Sequence, residues 1–460
     1  MNTLYNPLFV SKMLKSYIFD INRLKNLNEE ELRKFQDKKI RKIVKFAYTV
    51  PLYHNKYKND DIRPRDISGI NDIKKLPVIT KEDIRNYYPK GIISPKINKN
   101  NLIEISTSGT TGKTLPLYCD MLDMILWFFW YIRILREYNI SWRKNKLTII
   151  GDFANHTIGS GFVYRGLLAN IPNNLFFKNI QWLNTNDKPE DIVKEINTFK
   201  PDFIGGYVGM LGHLALLKEK GYGKNINPKY IATIGSVLTN PLRNLLENIF
   251  DANVFEVYGA TESGTIAFQC KKGSYHIMSD LVYPEFLKEG ETVKSKEPGK
   301  MIITKLYGLG TPIIRYSAVN DIVAPLYEKC DCGISGLLID RIYGRDDLAL
   351  FFSNGRALLP SSISDIHGRI LYELKTNKVK HTRIIQKDLK NLEIQLVIDK
   401  KLDKDKVSPE EIFSILVDGY HEKVGKDVNI DVKQVKKINR NEPHIQTKID
   451  KSSFKIIKYV

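Results

Sequence analysis

The chain has 460 residues, of which 42% are hydrophobic and 10% aromatic, a composition typical of a globular protein with a large core and more than one domain. Its four cysteines are too few for a disulfide scaffold in a chain this long. The formal net charge is +19, but lysine and arginine are spread along the whole chain. We therefore interpret the charge as a solvated surface that attracts anions, with a nucleic-acid or membrane partner as the alternative.

The N-terminal residues are not expected to form a signal peptide, because Lys12, Lys15, Asp20 and Arg23 interrupt any apolar run. The most apolar stretch, 121–135, is shorter than the about twenty residues of a bilayer span and predicts a buried helix. We expect a cytoplasmic protein in a reducing compartment, without a transmembrane segment.

The first hundred residues are predicted to be helical. Asn28 can cap a helix that runs from Glu29 towards Tyr48, and Pro51 is expected to stop the next turn. Thr80, with an aspartate three residues later, marks the start of a second helix.

The middle of the chain alternates strands and helices. Buried strands are predicted at 146–151, 202–206, 230–235 and 253–257, and helices at 210–220 and 240–250. This alternation predicts a largely parallel sheet with helices on its faces.

The pattern changes near residue 345. Segments 382–386 and 392–398 predict a hairpin, Ser408 starts a helix that ends near Gly425, and 428–432 returns as a strand. We therefore predict an α/β fold with a large N-terminal domain of mixed, largely parallel sheets, residues 1–344. A small, mobile α+β C-terminal domain would follow, residues 345–460.

The strongest motif predicts a phosphate-binding loop, since its glycines let backbone N–H groups approach a phosphate and its hydroxyls and lysine add donors and charge. It does not fit a Walker A loop, in which a glycine would stand at the position of Thr107. Its residues are Ser106, Thr107, Ser108, Gly109, Thr110, Thr111, Gly112, Lys113 and Thr114.

A second motif, EVYGATESG at 256–264, follows a predicted strand, and open α/β sheets bind ligands at the carboxyl ends of their strands. Tyr258 offers a flat face for a purine, and Thr261 can donate a hydrogen bond to a phosphate. Glu262 is a carboxylate suited to Mg²⁺ beside a triphosphate. A plain turn is the alternative.

These motifs resemble those of the adenylate-forming superfamily, whose signature loop is similar to STSGTTGK at 106–113. More narrowly, the chain resembles the branch of phenylacetate–CoA ligases, coenzyme F390 synthetases and CapK-like capsule-biosynthesis proteins. The opening segments VPLYHNKY at 50–57 and IKKLPVITKEDIR at 73–85 are also similar to that branch. The resemblance covers nearly the whole chain, and its motifs fall in the order that the family has.

The resemblance implies further nucleotide contacts. Gly235 and Ser236 would pack against adenine, and Asp321 would accept hydrogen bonds from the ribose hydroxyls. Around Asp321 the chain departs from the family pattern, because Asn320 replaces a glycine and one residue is inserted. Residues assigned to ATP binding outside the loop are Gly235, Ser236, Glu256, Tyr258, Gly259 and Asp321.

The resemblance also implies catalytic and hinge residues. Arg345 would lie near the ribose or the phosphates, and Asp347 would be the hinge between the domains. A late lysine would bridge the carboxylate and the α-phosphate, where its charge stabilises the transition state. Lys448 matches best and Lys451 is the reserve, although the usual Gly-Lys pair is absent and a solvated lysine is the alternative. Catalytic roles thus fall on Thr261, Glu262, Arg345 and Lys448.

Two short cysteine motifs suggest a metal site. Cys270 and His276, together with Cys330 and Cys332, form a Cys3His set suited to structural Zn²⁺. The alternative is that the cysteines are buried free thiols and His276 lies on the surface. The sequence alone does not show that the pair at 270 and 276 meets the pair at 330 and 332 in the fold. Some relatives in the branch bind zinc at similar cysteines.

The expected reaction is ATP-dependent activation of a carboxylic acid as an acyl-adenylate, followed by transfer to a thiol, for which coenzyme A is the expected acceptor. Three alternatives remain for this reaction: an amine or hydroxyl as the acyl acceptor, transfer of AMP itself, and a protein that has lost the activity of its relatives. A nucleotide- or nucleic-acid-binding protein is the alternative of another class, but no basic–aromatic interleaving along one element indicates a nucleic-acid partner. The sequence leaves the acid open, and leaves the oligomeric state open between monomer and homodimer.

Overall fold

The computed structural model describes residues 7–107, 114–161, 177–399, 406–439, 442–450, 456 and 458–460. Its α-helices are α1 (Pro7–Phe19), α2 (Arg23–Asn26), α3 (Glu29–Ala47), α4 (Pro51–Asn59), α5 (Lys81–Tyr87), α6 (Met121–Glu137), α7 (Ile158–Ser160), α8 (Pro189–Phe199), α9 (Val208–Glu219), α10 (Asn240–Phe250), α11 (Pro360–Tyr372) and α12 (Pro409–Val424). Short 3-10 helices lie at Pro64–Asp66, Ile70–Lys75, Lys99–Asn101 and Asp346–Leu348.

The strands fall into a large central sheet and three smaller ones. They are β1 (Ile103–Ser106), β2 (Pro116–Cys119), β3 (Leu147–Gly151), β4 (Ile180–Asn184), β5 (Phe203–Tyr207), β6 (Tyr230–Ile234), β7 (Asn253–Ala260), β8 (Gly264–Gln269), β9 (Tyr275–Ile277), β10 (Val282–Lys288), β11 (Glu291–Thr292), β12 (Gly299–Lys305), β13 (Asp321–Leu326), β14 (Leu338–Arg345), β15 (Leu350–Phe351), β16 (Arg356–Leu358), β17 (Val379–Gln386), β18 (Asn391–Ile398), β19 (Asn429–Gln434), β20 (Ile445–Thr447) and β21 (Lys458–Tyr459).

The central sheet has twelve strands in the order β11-β10-β12-β13-β14-β9-β8-β7-β6-β5-β3-β4. The four predicted strands β3, β5, β6 and β7 lie in its parallel half, and β4, which was not predicted, pairs with β3 at its edge. The pairs from β7 to β11 are antiparallel. The fold is therefore mixed α/β, as expected, but its parallel order is confined to one half of the sheet.

The antiparallel half divides into two arms. β14 pairs with β9 only through Leu338–His276 and Ile339–Tyr275. Among the described residues, the remainder of β14, up to Arg345, pairs only with β13. The strands β7 and β8 thus form one arm, β13 and β14 form the other, and β9 joins the two at their base.

The N-terminal helices begin where the capping signals predicted. Asn28 and Glu31 form a capping box at the start of α3, and Thr80 and Asp83 form one at the start of α5. The expectation for Pro51 was incomplete: α3 ends at Ala47, and Pro51 then opens α4 at the first helical position, where proline is favoured.

The apolar stretch 121–135 lies in α6, which is capped by Asp120 and runs through the core. Trp130 on this helix is fully buried. Among the described residues, no helix combines the length and hydrophobicity that crossing a bilayer requires.

The C-terminal part of the chain forms an α+β unit. The predicted hairpin is β17–β18, β19 pairs parallel to β18, and α11 and α12 pack over this four-stranded sheet, which also holds β20. Ser408 and Glu411 form the expected capping box of α12. The unit contacts the large sheet's helices through α11, where Leu371 lies against Gly212 of α9 and Lys375 pairs with Glu219.

Candidate active site

One cleft of about 1700 Å³ opens between the two arms of the central sheet and extends to the C-terminal unit, where Pro360, Glu422 and Tyr459 also line it. Its walls include the carboxyl ends of β6 and β7, the start of β13 and the end of β14. Predicted site residues that line it are Thr107, Gly235, Ser236, Glu256, Tyr258, Gly259, Thr261, Glu262, Asp321 and Arg345. Segments far apart in sequence therefore meet at the sheet edge where open α/β sheets bind ligands.

The turn between β7 and β8 carries Thr261 and Glu262 into the cleft. Glu262 is partly buried, and its Oε1 accepts a hydrogen bond from the Tyr316 hydroxyl at 3.2 Å. Burial raises the pKa of Glu262, although the hydrogen bond from Tyr316 and the positive charges of Arg345 and Lys81 oppose the shift. A desolvated carboxylate facing a cleft fits the predicted Mg²⁺ ligand.

Asp321 stands at the start of β13 and is only 8% exposed. Its Oδ2 accepts a hydrogen bond from the Tyr258 hydroxyl. Burial raises the pKa of Asp321 to about 6, and the bond from Tyr258 and the charge of Arg345 limit the rise. Besides its ring face, Tyr258 thus supplies a hydroxyl that ties β7 to β13 across the cleft.

The departure at Asn320 has a physical explanation. Asn320 adopts a positive φ of 60°, and asparagine tolerates this left-handed conformation better than most residues that replace glycine. Its carbonyl oxygen also accepts a hydrogen bond from the Asp346 N–H at 2.6 Å. The altered loop therefore keeps a compact turn and contacts the segment that carries the predicted hinge.

Arg345 and Asp347 form a bidentate ion pair, with Nε–Oδ1 and Nη2–Oδ2 distances of 2.9 and 2.6 Å. Both side chains are partly exposed, at 28% and 27%. Arg345 ends β14 opposite Asp321, and Asp347 lies in the following 3-10 helix. The catalytic and hinge candidates are thus coupled directly to each other.

Only the two ends of the predicted phosphate loop are described. The Ser106 N–H donates to the His156 carbonyl at 2.6 Å, and Thr107 Oγ1 accepts from the Leu115 N–H at 3.0 Å. These bonds fix both stems of the loop at the cleft. The predicted contacts of Ser108, Gly109, Thr110, Thr111, Gly112 and Lys113 lie outside the described residues.

The strand end after β6 faces the same cleft. Gly235 and Ser236 are exposed there, and the ring of Tyr207 lies against Gly235. Glu256 also lines the cleft, but its carboxylate is occupied: it accepts from the Leu238 N–H at 3.1 Å and pairs with Arg243 at 2.8 Å. Glu256 therefore braces the wall in which Gly235 and Ser236 lie.

The lysine candidates lie apart from these residues. Lys448 is exposed directly after β20 and is not among the residues that line the cleft. Its neighbour Thr447 contacts the buried Gln386 in the C-terminal sheet. Lys451 lies outside the described residues. In this arrangement of the two parts of the chain, Lys448 does not reach the nucleotide side of the cleft.

Lys81 is a cleft residue that motif reasoning missed. It is the first residue of α5 and faces the charges of Arg345, Glu262 and Asp347. Burial lowers its pKa, and the nearby charges of Arg85 and Arg345 act in the same direction. Lys81 lies in the ITKEDIR segment, which we had interpreted only as a helix start and as part of the family resemblance.

The four metal candidates meet at the base of the two arms. Their ligand atoms all lie within 4.8 Å of one another, with Cys270 Sγ 3.8 Å from Cys330 Sγ and Cys332 Sγ 3.1 Å from His276 Nε2. Cys270 follows β8, His276 lies in β9, and Cys330 and Cys332 lie in the β13–β14 connection.

The donor set fits a structural zinc ion. Three sulfurs and one imidazole at these separations suit tetrahedral coordination with no open position. Burial lowers the pKa of His276 to about 4, so its ring is in the neutral form that binds metals. Cys119, the fourth cysteine, is buried outside this cluster, as expected for a core residue.

Comparison with known proteins gives consistent relatives. The family described as the CapK C-terminal domain matches residues 353–443. Protein CapK of Staphylococcus aureus is 22% identical over 423 residues, which cover 85% of this chain and 84% of CapK. Phenylacetate-coenzyme A ligase of Pseudomonas putida is 25% identical over 306 residues, which cover 64% of this chain and 67% of the ligase.

Solved structures share the fold. The chain is similar to a 2-hydroxyisobutyryl-CoA ligase in the postadenylation state, in complex with an adenylate, with a TM-score of 0.72 and 16% identity. The match covers 94% of this chain and 92% of that ligase. The same ligase in its thioesterification state gives a TM-score of 0.62. The large sheet and the small C-terminal unit are therefore both part of the shared fold.

Proposed function

We propose that this chain belongs to the phenylacetate–CoA ligase and CapK branch of the adenylate-forming superfamily, and that it activates a carboxylic acid with ATP and transfers the acyl group to coenzyme A. The observation that carries the proposal is the single cleft that holds Thr107, Glu262, Asp321 and Arg345. The curated ligases to which the chain is similar act on a carboxylic acid and coenzyme A, as their names state.

In the first step, a carboxylate oxygen of the acid attacks the α-phosphorus of ATP, and the bond to the bridging oxygen breaks so that pyrophosphate leaves. A carboxylate is a weak nucleophile, so positioning and charge stabilisation must supply most of the rate enhancement. Asp321 would accept hydrogen bonds from the ribose, and Arg345 would face the ribose or phosphates. Glu262 would hold Mg²⁺, which neutralises charge on the triphosphate when bound.

In the second step, the thiol of the acceptor loses its proton, its sulfur attacks the acyl carbonyl carbon, and AMP leaves. We place the domain boundary at 344–345, where β14 ends and Asp347 follows, so that the C-terminal domain can rotate between the two steps. Such a rotation would bring a residue of that domain to the α-phosphate, and we assign this role to Lys448.

Acid-dependent ATP–pyrophosphate exchange, measured against a panel of carboxylic acids, tests the adenylation step. We expect exchange with at least one acid and none without acid. Glu262→Gln should lower exchange at least about tenfold, the loss of ~1.4 kcal/mol of stabilisation. Glu328→Gln is the matched control, because Glu328 is exposed and pairs only with Lys296 among the described residues. Exchange with none of the acids would contradict the proposal.

Lys448→Ala is the test of the lysine assignment. If Lys448 reaches the α-phosphate in the adenylating arrangement, the exchange rate should fall by about a hundredfold or more, since one transition-state charge contact can supply that much. Lys390→Ala, an exposed lysine of the same unit, should leave the rate unchanged. An exchange rate of the Lys448 variant equal to that of the wild type would reject the assignment, and Lys451 would then be the next candidate.

The acceptor has a second candidate. Similarity to CapK covers more of this chain than similarity to the Pseudomonas putida ligase, and the CapK C-terminal domain matches the unit that would carry the acceptor step. An amine or hydroxyl acceptor is therefore the alternative. Product analysis by mass spectrometry, with the active acid and each acceptor class, separates an acyl thioester from an amide or ester.

We further propose that Cys270, His276, Cys330 and Cys332 hold one structural zinc ion. Such thiols persist in a reducing compartment, which agrees with a cytoplasmic location. Elemental analysis of protein purified without chelator should give about one zinc per chain, and the absence of zinc would reject the site.

A further inference from the structure

A pair of aromatic side chains lies directly behind the turn that carries Thr261 and Glu262. The Tyr307 hydroxyl donates to the Ser263 carbonyl oxygen at 2.7 Å. The same hydroxyl accepts a hydrogen bond from Trp127 Nε1 at 2.9 Å. Tyr307 is 8% exposed, whereas Trp127 reaches the cleft wall.

The direction of the Tyr307 hydroxyl is fixed by what surrounds its ring. Trp130 packs edge-on against it, with ring centroids 4.5 Å apart. The ammonium group of Lys305 lies 4.3 Å from the ring centroid, and it is held in turn by a buried ion pair with Asp123 at 3.3 Å. A ring clamped by an aromatic edge and a buried cation has little freedom to rotate, so its hydroxyl is a rigid anchor.

The backbone on both sides of this contact requires glycine. Gly308 follows Tyr307 with φ of +88°, and a Cβ there would lie 2.5 Å from Asp123 Oδ1. Gly264 ends the turn with φ of +73°, and a Cβ there would lie 2.6 Å from Trp127 Nε1. The chain therefore brings the anchor and the turn as close together as backbone sterics allow.

The turn is held from two sides. Tyr307 holds the backbone at the Ser263 carbonyl, and Tyr316, which is itself fully buried, donates to the carboxylate of Glu262. Ser263 is fully buried, and among the described residues its own hydroxyl has no hydrogen-bond partner. The core therefore contacts this residue of the turn through the hydrogen bond from Tyr307 to the Ser263 carbonyl oxygen.

We propose that Tyr307, assisted by Trp127, is a positioning residue that sets the direction of the Glu262 carboxylate towards a metal-bound nucleotide. The inference rests on the proposed function only in placing that nucleotide at Glu262. Removing the Tyr307 hydroxyl lets the turn shift, so the metal-dependent part of nucleotide binding weakens. Contacts at Asp321 and Gly235 are unaffected, because they belong to other segments.

The test is equilibrium binding of Mn²⁺·ATP, measured from the electron paramagnetic resonance signal of free Mn²⁺, beside metal-free binding of AMP. Tyr307→Phe should weaken Mn²⁺·ATP binding about five- to tenfold, as expected for the loss of one oriented hydrogen bond, and leave AMP binding within about twofold. Trp127→Phe should shift Mn²⁺·ATP binding in the same direction. The double variant should show less than the sum of the two effects, because both act through one hydroxyl.

Tyr327→Phe is the matched control, because that hydroxyl also donates to a backbone carbonyl, of Val293 at 3.2 Å, but away from the cleft. It should bind both ligands like the wild type. Unchanged Mn²⁺·ATP binding in Tyr307→Phe, or an equal loss of AMP binding, would overturn the inference. These binding measurements need no carboxylic acid, so they are independent of the exchange assay. If the wild type shows no exchange with any acid but Tyr307→Phe still loses Mn²⁺·ATP binding selectively, the proposed reaction is rejected and the positioning role of Tyr307 is retained.

Discussion

Two carboxylates with raised pKa values line the cleft, Glu262 in the turn between β7 and β8 and Asp321 at the start of β13. Asp321 is the more buried of the two, and burial raises its pKa to about 6, well above its ordinary value of 3.8. At neutral pH both groups must carry charge in a desolvated wall to bind a nucleotide or its metal. The cleft thus holds charge at the expense of the stability of the unliganded fold.

This conflict predicts a pH-dependent gain in stability for Asp321→Asn. Because the pKa of Asp321 is higher in the folded state than in the unfolded state, ionisation of this group lowers the free energy of unfolding as the pH rises from 3.8 to about 6. Above that range the loss is about 3 kcal/mol. The amide can still accept from Tyr258 without this charge. Thermal unfolding should therefore give a higher Tm for the variant at pH 8 and nearly equal values near pH 3.5, while AMP binding weakens. A lower Tm at pH 8 would contradict the explanation.

Lys81 supplies a second prediction at the residue scale. Its ammonium group lies on the cleft beside Glu262 and Arg345, so it is placed to meet the outer phosphates of ATP. Lys81→Ala should weaken ATP binding about 10- to 100-fold, the range for loss of a charge-assisted hydrogen bond, and leave AMP binding nearly unchanged. Isothermal titration with both nucleotides measures this difference. Lys75→Ala, exposed and paired with Asp72, is the control, and equal losses for ATP and AMP would reject the placement.

At the scale of elements, the division of the sheet into two arms creates the cleft. Only two residue pairs join β14 to β9, and the Cys3His cluster lies at that junction. Cys270 and Tyr275 of this region also line the cleft, so the cavity extends from Glu262 and Asp321 down to the cluster. A bound metal ion would set the angle between the arms and hence the distance from Glu262 to Asp321.

Metal and nucleotide binding should therefore be coupled. Coupling energies between sites are typically about 1–3 kcal/mol, so removal of zinc should weaken AMP binding about 5- to 150-fold. By linkage, AMP must tighten zinc binding by the same factor, which a chelator titration with and without AMP measures. Cys119→Ala, outside the cluster, should retain both zinc and coupling. An identical chelator midpoint in the two titrations would show that the arms are held without the metal.

At the scale of the whole molecule, the C-terminal unit contacts the helices of the large sheet and also packs on the ends of β13 and β14, where Ile322 joins Phe351 and Leu359 in one apolar cluster. Leu371 lies against Gly212, and the Lys375–Glu219 ion pair stands at the rim, with the Lys375 side chain 58% exposed. Relative motion of domains is the usual behaviour unless the interface between them is large and hydrophobic. This contact is compatible with the rotation that would carry Lys448 towards the cleft.

Lys375→Glu should loosen this contact by placing like charges opposite each other. An exposed pair contributes about 0.2–1 kcal/mol, so the separated form should rise only about two- to fivefold. Tryptic cleavage at Arg345, at the boundary between the two units, should accelerate by that factor under native conditions. Lys390→Glu, exposed in the same unit, should not change the rate, and an unchanged rate in Lys375→Glu would show that the contact does not hold the units together.

Much of the fold could be predicted from local signals. The parallel strands β3, β5, β6 and β7 and the capping boxes at Asn28, Thr80 and Ser408 appear where they were predicted, because burial patterns and side-chain capping depend on neighbours within a few positions. The antiparallel half was not predicted, since strand pairing there is set by long-range packing. The expectation for Pro51 was incomplete for a related reason: α3 ends before this residue, as predicted, but the same residue also begins α4.

For this protein, the sequence alone determined which residues can perform phosphate, metal and acid chemistry, because side-chain type and short spacing are local properties. Only the tertiary structure decided which of them meet. It brought Cys270 within 3.8 Å of Cys330, 60 residues later, directed the Tyr258 hydroxyl to Asp321, and placed Tyr307 behind Glu262. These contacts depend on how the sheet divides and closes, and that is a balance of packing across the whole chain.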